Sequence, residues 1–125
     1  MILSLTRDIE GHSGFVHVRT RDLLYLECET AASGVNFHTQ DEQFFGKGTM
    51  KYYQNALASH GLHFTKADRN IFLNMEKVVH IDRKDGFVYF ERDFGKDSKR
   101  CMIAISKTRQ FINEVIRINP DVIVN

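Results

Sequence analysis

Cysteine is nearly missing from the sequence: Cys28 and Cys101 are the only two, each inside an apolar, strand-like run. With no secretory signal before them, they read as reduced, buried side chains of a cytoplasmic chain rather than as a bridge. The apolar stretch at the start is too short for a signal peptide and meets Arg7 and Asp8 at once. No run approaches the roughly 18 apolar residues that cross a bilayer, which excludes membrane insertion through a helix. Charge of one sign is missing too. Lysine and arginine total 17 against 16 aspartates and glutamates, a net of +1, without the basic excess that marks many nucleic-acid-binding domains. Tryptophan is absent and proline occurs once, but ten phenylalanines and 42% apolar residues make an ordinary globular composition. At 125 residues the chain is expected to form one domain, residues 1–125, without disulfide or metal staples.

The motifs of catalysis are also missing. There is no G-x-x-x-x-G-K-S/T phosphate loop and no G-x-G-x-x-G fingerprint; Gly46-Lys47-Gly48 before Thr49 reads as a turn into a helix. Six histidines invite a metal reading, yet Gly61 separates His60 from His63 and no cysteine or carboxylate joins them at zinc-site spacing. Nothing marks either cysteine as a low-pKa nucleophile. Asp82 and Asp85 flank a turn and read as solvated. The chain is therefore expected not to be an enzyme and to carry no metal or cofactor.

What is present is mainly a series of short strands at spacings near ten residues, which points to an antiparallel β body. Candidates are residues 15–18, 23–29, 35–38, 43–45, 69–74, 77–82, 87–91 and 101–105. Residues 35–38 and 43–45 pair naturally as a hairpin, and Lys84-Asp85-Gly86 supplies turn chemistry between two later strands. Two segments follow a helical period instead. Thr49 can cap a helix carrying Met50, Tyr53 and Leu57, and Ser106 can cap a second one with Phe111, Ile112, Val115 and Ile116 on one stripe before Pro120. The tail, residues 117–125, ends in a short apolar run that can add an edge strand or pack on a neighbouring subunit.

The near-neutral total conceals an asymmetry. Residues 1–63 hold five basic and seven acidic side chains, while residues 64–125 hold twelve basic and nine acidic. Residues 98–113 carry Lys99, Arg100, Lys107 and Arg109 and no acid. Screening confines electrostatics to about 8–10 Å, so such a patch can steer a polyanion whatever the net charge.

The order of several segments then matches a known pattern. Leu23-Leu24-Tyr25-Leu26-Glu27 is followed by Val35-Asn36-Phe37-His38-Thr39 and by Gly46 to Met50. Next come Phe64-Thr65-Lys66-Ala67-Asp68-Arg69-Asn70-Ile71-Phe72-Leu73-Asn74, Val78-Val79-His80-Ile81-Asp82 and Ile105-Ser106-Lys107. Over residues 15–116 this resembles the LytTR family of bacterial DNA-binding domains. That family is marked by an I-x-Y-I-E strand, a hairpin, a helix introduced by glycine, an F-x-R-x-H-R-S segment and a final aliphatic-S-R before the last helix.

The resemblance implies a mainly β fold, an elongated stack of small antiparallel β-sheets with two short helices. Loops between strands, rather than a recognition helix, would enter successive major grooves of a promoter direct repeat. The partner would be double-stranded promoter DNA, bound by a homodimer at least on DNA. Control by abundance, by dimerisation, by an upstream regulator or by a membrane-bound inhibitor stays open. The length leaves no room for the receiver domain usual in the family, so the chain is expected to be a stand-alone regulator or a fragment.

By position, the resemblance places Ser33 and Gly34, then Lys66, Asp68, Arg69 and Asn70, then Lys107 and Arg109 on DNA. The side-chain chemistry agrees. Arg69 offers a fork for guanine O6 and N7, Asn70 either two bonds to adenine or a turn residue, and Lys107 a contact to phosphate or to a single acceptor. Asp68 stands where the family has histidine; it opposes phosphate unless it accepts from cytosine N4 or orients Arg69. An ordinary surface ion pair of Arg69 with Asp68 or another neighbour is the competing reading. The alternative for the whole chain is a β-rich module that binds protein or small ligand without DNA activity.

Overall fold

In the computed structural model, which describes residues 1–125, the chain divides into two units, Met1–Phe64 and Thr65–Asn125. The charge asymmetry falls at the same boundary, because Phe64 is neutral: the first unit carries the five basic and seven acidic side chains, the second the twelve and nine. Eleven strands and two helices make the protein mainly β, with several small antiparallel sheets, as expected.

The first unit is built on a meander of β3 (Tyr25–Glu29), β4 (Gly34–His38) and β5 (Gln43–Lys47). Leu26 stands opposite Phe37, and Phe37 opposite Phe44, so one face is a continuous apolar layer. Leu26, Val35 and Phe37 are wholly buried there, each burial stabilising by about 1.5–3 kcal/mol. The other face buries polar groups by pairing them. His38 Nε2 lies 2.6 Å from Glu27 Oε1, and the His38 ring stacks on Tyr25 at 4.2 Å. Asn36 Nδ2 donates to Glu29 Oε2 at 3.1 Å.

A second hairpin, β1 (Ile2–Leu5) with β2 (Val16–Arg19), precedes the meander and is bridged to it through Thr6 and Phe45. β1 is not among the strands expected from the sequence. The helix α1 (Met50–Ala58) begins as expected: Thr49 Oγ1 accepts the Tyr52 N–H at 3.1 Å, and Met50, Tyr53 and Leu57 are its buried side chains. The Tyr53 ring meets Phe37 edge-on at 4.8 Å.

The loop between β1 and β2 is organised by one carboxylate. Asp8 accepts from Ser13 Oγ at 2.5 Å, Ser13 N–H at 3.0 Å and His12 N–H at 2.8 Å. These bonds, that of the Ser13 hydroxyl first, favour the ionised form and hold its pKa at about 2, below the ordinary 3.8. A carboxyl whose folded pKa is depressed stabilises the fold above its unfolded pKa, and the contribution is lost as pH falls through the folded value. Replacing Asp8 by asparagine is therefore expected to flatten the acid limb of stability between about pH 4 and 2. Denaturation midpoints measured over that range check it, and an unchanged limb would refute the role.

In the second unit, β8 (His80–Asp82), β9 (Phe87–Tyr89) and β10 (Arg100–Met102) form an antiparallel sheet. The expected turn joins β8 to β9: Asp82 Oδ1 accepts the Lys84 and Asp85 N–H groups, and Gly86 adopts φ +73°. The tail adds the edge strand β11 (Ile123–Val124), but it pairs with β8 in parallel. The chain reaches that edge by way of a helix, α2 (Thr108–Ile118), and a crossover return of this kind brings a strand in parallel. His80 Nε2 meets Asn125 Oδ1 at 2.8 Å beside the new strand.

Three local expectations are corrected. Ser106 does not cap α2; it lies within a 3-10 turn, Ile105–Lys107, and Lys107 occupies the cap position with no side-chain bond to the helix. The short turn completes its own ring first, so the helix starts one residue later than expected. Of the expected α2 stripe, Phe111, Ile112 and Val115 are buried whereas Ile116 is 44% exposed. Residues 69–74 do not form one strand: Arg69 and Asn70 turn the chain between β6 (Thr65–Asp68) and β7 (Ile71–Leu73).

Candidate nucleic-acid interface

The β6–β7 hairpin turns in two residues, Arg69 and Asn70, neither of which has positive φ. A tight turn of that hand splays flanking strands, because the favoured two-residue hairpin turns need positive φ. The hairpin absorbs the mismatch in a bulge. Lys66 pairs with Phe72 and Asp68 with Ile71, so Ala67 has no partner on β7. Its methyl is wholly buried, while Lys66 stands exposed and Asp68 half-buried on either side. Asp68 Oδ1 accepts the Arg69 N–H at 2.7 Å and fixes the turn. The competing ion-pair reading is thereby answered: Asp68 binds the backbone of Arg69, and the guanidinium has no ion-pair or hydrogen-bond partner.

The carbonyl that the bulge leaves over is used elsewhere in the same unit. Ala67 O accepts the Ala104 N–H at 2.9 Å. Ala104 O in turn accepts the Lys107 N–H at 2.9 Å and the Thr108 hydroxyl at 3.2 Å. The turn Ile105–Lys107 is thus tied by backbone bonds to the strand between Lys66 and Asp68. Ile105, Ser106, Lys107 and Arg109 are exposed, and like Lys66 and Arg69 the cations Lys107 and Arg109 form no ion pair. Beyond them an open groove of about 530 Å³ runs along α2, lined by Ser106, Arg109, Gln110, Asn113, Glu114 and Arg117.

Within the second unit, the Ala67–Ala104 bond thus ties the hairpin that carries Lys66, Asp68, Arg69 and Asn70 to the turn that carries Lys107, with Arg109 in the first turn of α2. Ser33 and Gly34 belong to the first unit. Ser33 is exposed at the β3–β4 turn, where it is the sole non-glycine residue with positive φ, +51°. Gly34 is buried, and a Cβ built on it would stand 2.3 Å from Phe45 Cζ and 2.7 Å from Gly46 O. Packing thus requires glycine there. Ile105 is the exposed residue that reading the sequence missed, because isoleucine in an apolar strand-like run looks like core.

No group of three or more histidines, cysteines, aspartates or glutamates is arranged to hold a metal ion. No helix is long and apolar enough to cross a membrane.

Comparison with known proteins identifies the family and the fold. The family described as the LytTr DNA-binding domain matches residues 13–115. Among solved structures, the chain is similar to one described as the LytTr DNA-binding domain of a methyl-accepting/DNA response regulator from Bacillus cereus. The TM-score is 0.65 at 13% identity, over 92% of this chain and 95% of that one. No curated protein matches the sequence. A match spanning most of the chain, on a mainly β fold with two helices, settles the family. The protein belongs to the LytTR family of DNA-binding domains.

Proposed function

We propose that the protein is a sequence-specific transcription regulator that reads promoter direct repeats through its inter-strand loops, one copy per half-site. The observation that carries this reading is the set of exposed cations without ion-pair partners, Lys66, Arg69, Lys107 and Arg109, on strand β6, two backbone-anchored turns and the helix that follows. Cations left unpaired in the free protein need break no internal pair to meet phosphate. Arg69 at a two-residue tip is suited to guanine O6 and N7, with Asn70 beside it for an adenine. Asp68 spends one oxygen on the Arg69 N–H and keeps the other to accept from cytosine N4. Lys66, Lys107 and Arg109 neutralise phosphates, with Ser33 contacting DNA from the first unit and Gly34 holding its strand. The protein acts in the cytoplasm, with DNA as its partner and a second copy beside it on the repeat.

Band shifts on the gene's own upstream region, repeated over salt concentrations, test this. Three phosphate-neutralising cations give a slope of log K against log salt of about −2.7 for each copy bound. Lys107→Ala should weaken all sequences alike and flatten that slope by about 0.9. Absence of binding at low salt would overturn the function. A slope unaffected by Lys107→Ala would remove that residue from the interface.

A further inference from the structure

Ile105 is 95% exposed, more than any other large apolar side chain of the protein; Phe15 follows at 76%. Isoleucine so placed is not loosely held. Its turn is closed by the Lys107 N–H and the Thr108 hydroxyl on Ala104 O, and fastened to β6 by the Ala104 N–H on Ala67 O. A fixed backbone and a β-branched side chain, stiff at χ1, present the apolar group with little conformational entropy left to lose on contact.

Its neighbours narrow what it meets. Ser106, Lys107 and Arg109 follow it in the chain, all exposed. Lys66 precedes the residue whose carbonyl anchors the turn. An apolar protein partner would have to desolvate these cations, whereas a polyanion pairs with them. The ligand that offers negative charge and a small apolar group together is duplex DNA, whose major groove exposes the thymine C5-methyl beside the phosphate-lined rim.

We infer that Ile105 is a specificity-determining residue that packs against a thymine methyl in the major groove. The inference rests on the proposed DNA reading and adds to it a base contact made without hydrogen bonds.

The test uses the full chain and a duplex enriched from a randomised pool. Each thymine of that duplex is replaced singly by deoxyuridine, which deletes the methyl and leaves base pairing intact. One replacement is expected to weaken wild-type binding about fourfold, the factor for burying one methyl-sized group. In Ile105→Ala the same replacement should have no effect, while Ile105→Val retains part of it. The melting temperature of Ile105→Ala should stay at the wild-type value, because the side chain is already in water. Full wild-type affinity for every deoxyuridine duplex would overturn the inference while leaving DNA reading intact. So would a deoxyuridine penalty that persists in Ile105→Ala, or self-association of the free protein that Ile105→Ala abolishes. If no duplex is enriched and none is bound at low salt, the DNA reading itself fails and the inference falls with it.

Discussion

Replacing Arg69 by alanine is expected to erase the preference at one base position of the target and to leave the fold as stable as before. The side chain is exposed and has no ion-pair or hydrogen-bond partner within the protein, so truncation removes no internal contact. The turn survives as well, because its bond to Asp68 comes from the Arg69 backbone. What disappears is a bidentate fork, whose discrimination between bases is about 1–3 kcal/mol, or about 5- to 150-fold. Arg69→Lys separates the charge from the fork. It should keep most of the non-specific affinity and the salt slope while losing the preference, since an ammonium is a point charge. Competition between the enriched duplex and single-base variants gives the profile directly. A profile unchanged in Arg69→Ala would mean that another side chain reads that base.

A large loss of stability is expected from the smallest substitution, Gly34→Ala. Gly34 does not have positive φ, so alanine is permitted by the backbone and the effect is purely steric. The added methyl would meet Phe45 Cζ at 2.3 Å and Gly46 O at 2.7 Å, far inside contact distance. Gly46 belongs to β5, paired with Val35 on β4, and cannot retreat without breaking the ladder. Overpacking of this kind costs about 1–3 kcal/mol. Phe45→Ala alone should cost about 3–5 kcal/mol, since Phe45 is buried. Combined, the two should cost less than their sum, because removing the ring makes room for the methyl. Chemical denaturation of the four proteins completes the cycle. Additive losses would show that the two positions do not press on each other. The same series bears on the interface, since a Gly34 variant that stays folded should bind DNA through Ser33 as before.

How far the sequence led depended on what kind of signal each segment carried. The hairpin of β4 and β5, the Thr49 cap and the Asp82–Gly86 turn were legible because each follows from a local rule of alternation, capping or turn chemistry. β6 was not: Thr65-Lys66-Ala67-Asp68 holds no β-rich run, and its strand character comes from pairing with β7 across a bulge. Missing it moved Arg69 from a loop tip to a strand end. The Ser106 cap failed for a related reason, since the 3-10 turn that displaces it is anchored by a distant bond, Ala104 N–H to Ala67 O, that no local pattern announces. Family resemblance pointed to Lys66, Arg69, Lys107 and Arg109, which the structure leaves exposed and without ion pairs, where local rules did not. It reached Gly34 for the wrong reason as far as packing goes, because the neighbour that forbids a side chain there, Phe45, lies on another strand. Ile105 was hidden by its own chemistry.

The bond between Ala104 N–H and Ala67 O, with those that close on Ala104 O, has a consequence for how such a protein changes its target. Both loops hold their shape through main-chain atoms, together with the carboxylate of Asp68 and the hydroxyl of Thr108. The side chains of Arg69, Asn70, Ile105, Ser106 and Lys107 carry none of that work. If the proposed DNA reading holds, mutation at these five positions is expected to alter what is recognised without drawing on folding stability, so that a target and its reader could drift together through many intermediates that all fold. Retargeting by design has the same freedom: a library confined to these positions should yield folded proteins almost throughout.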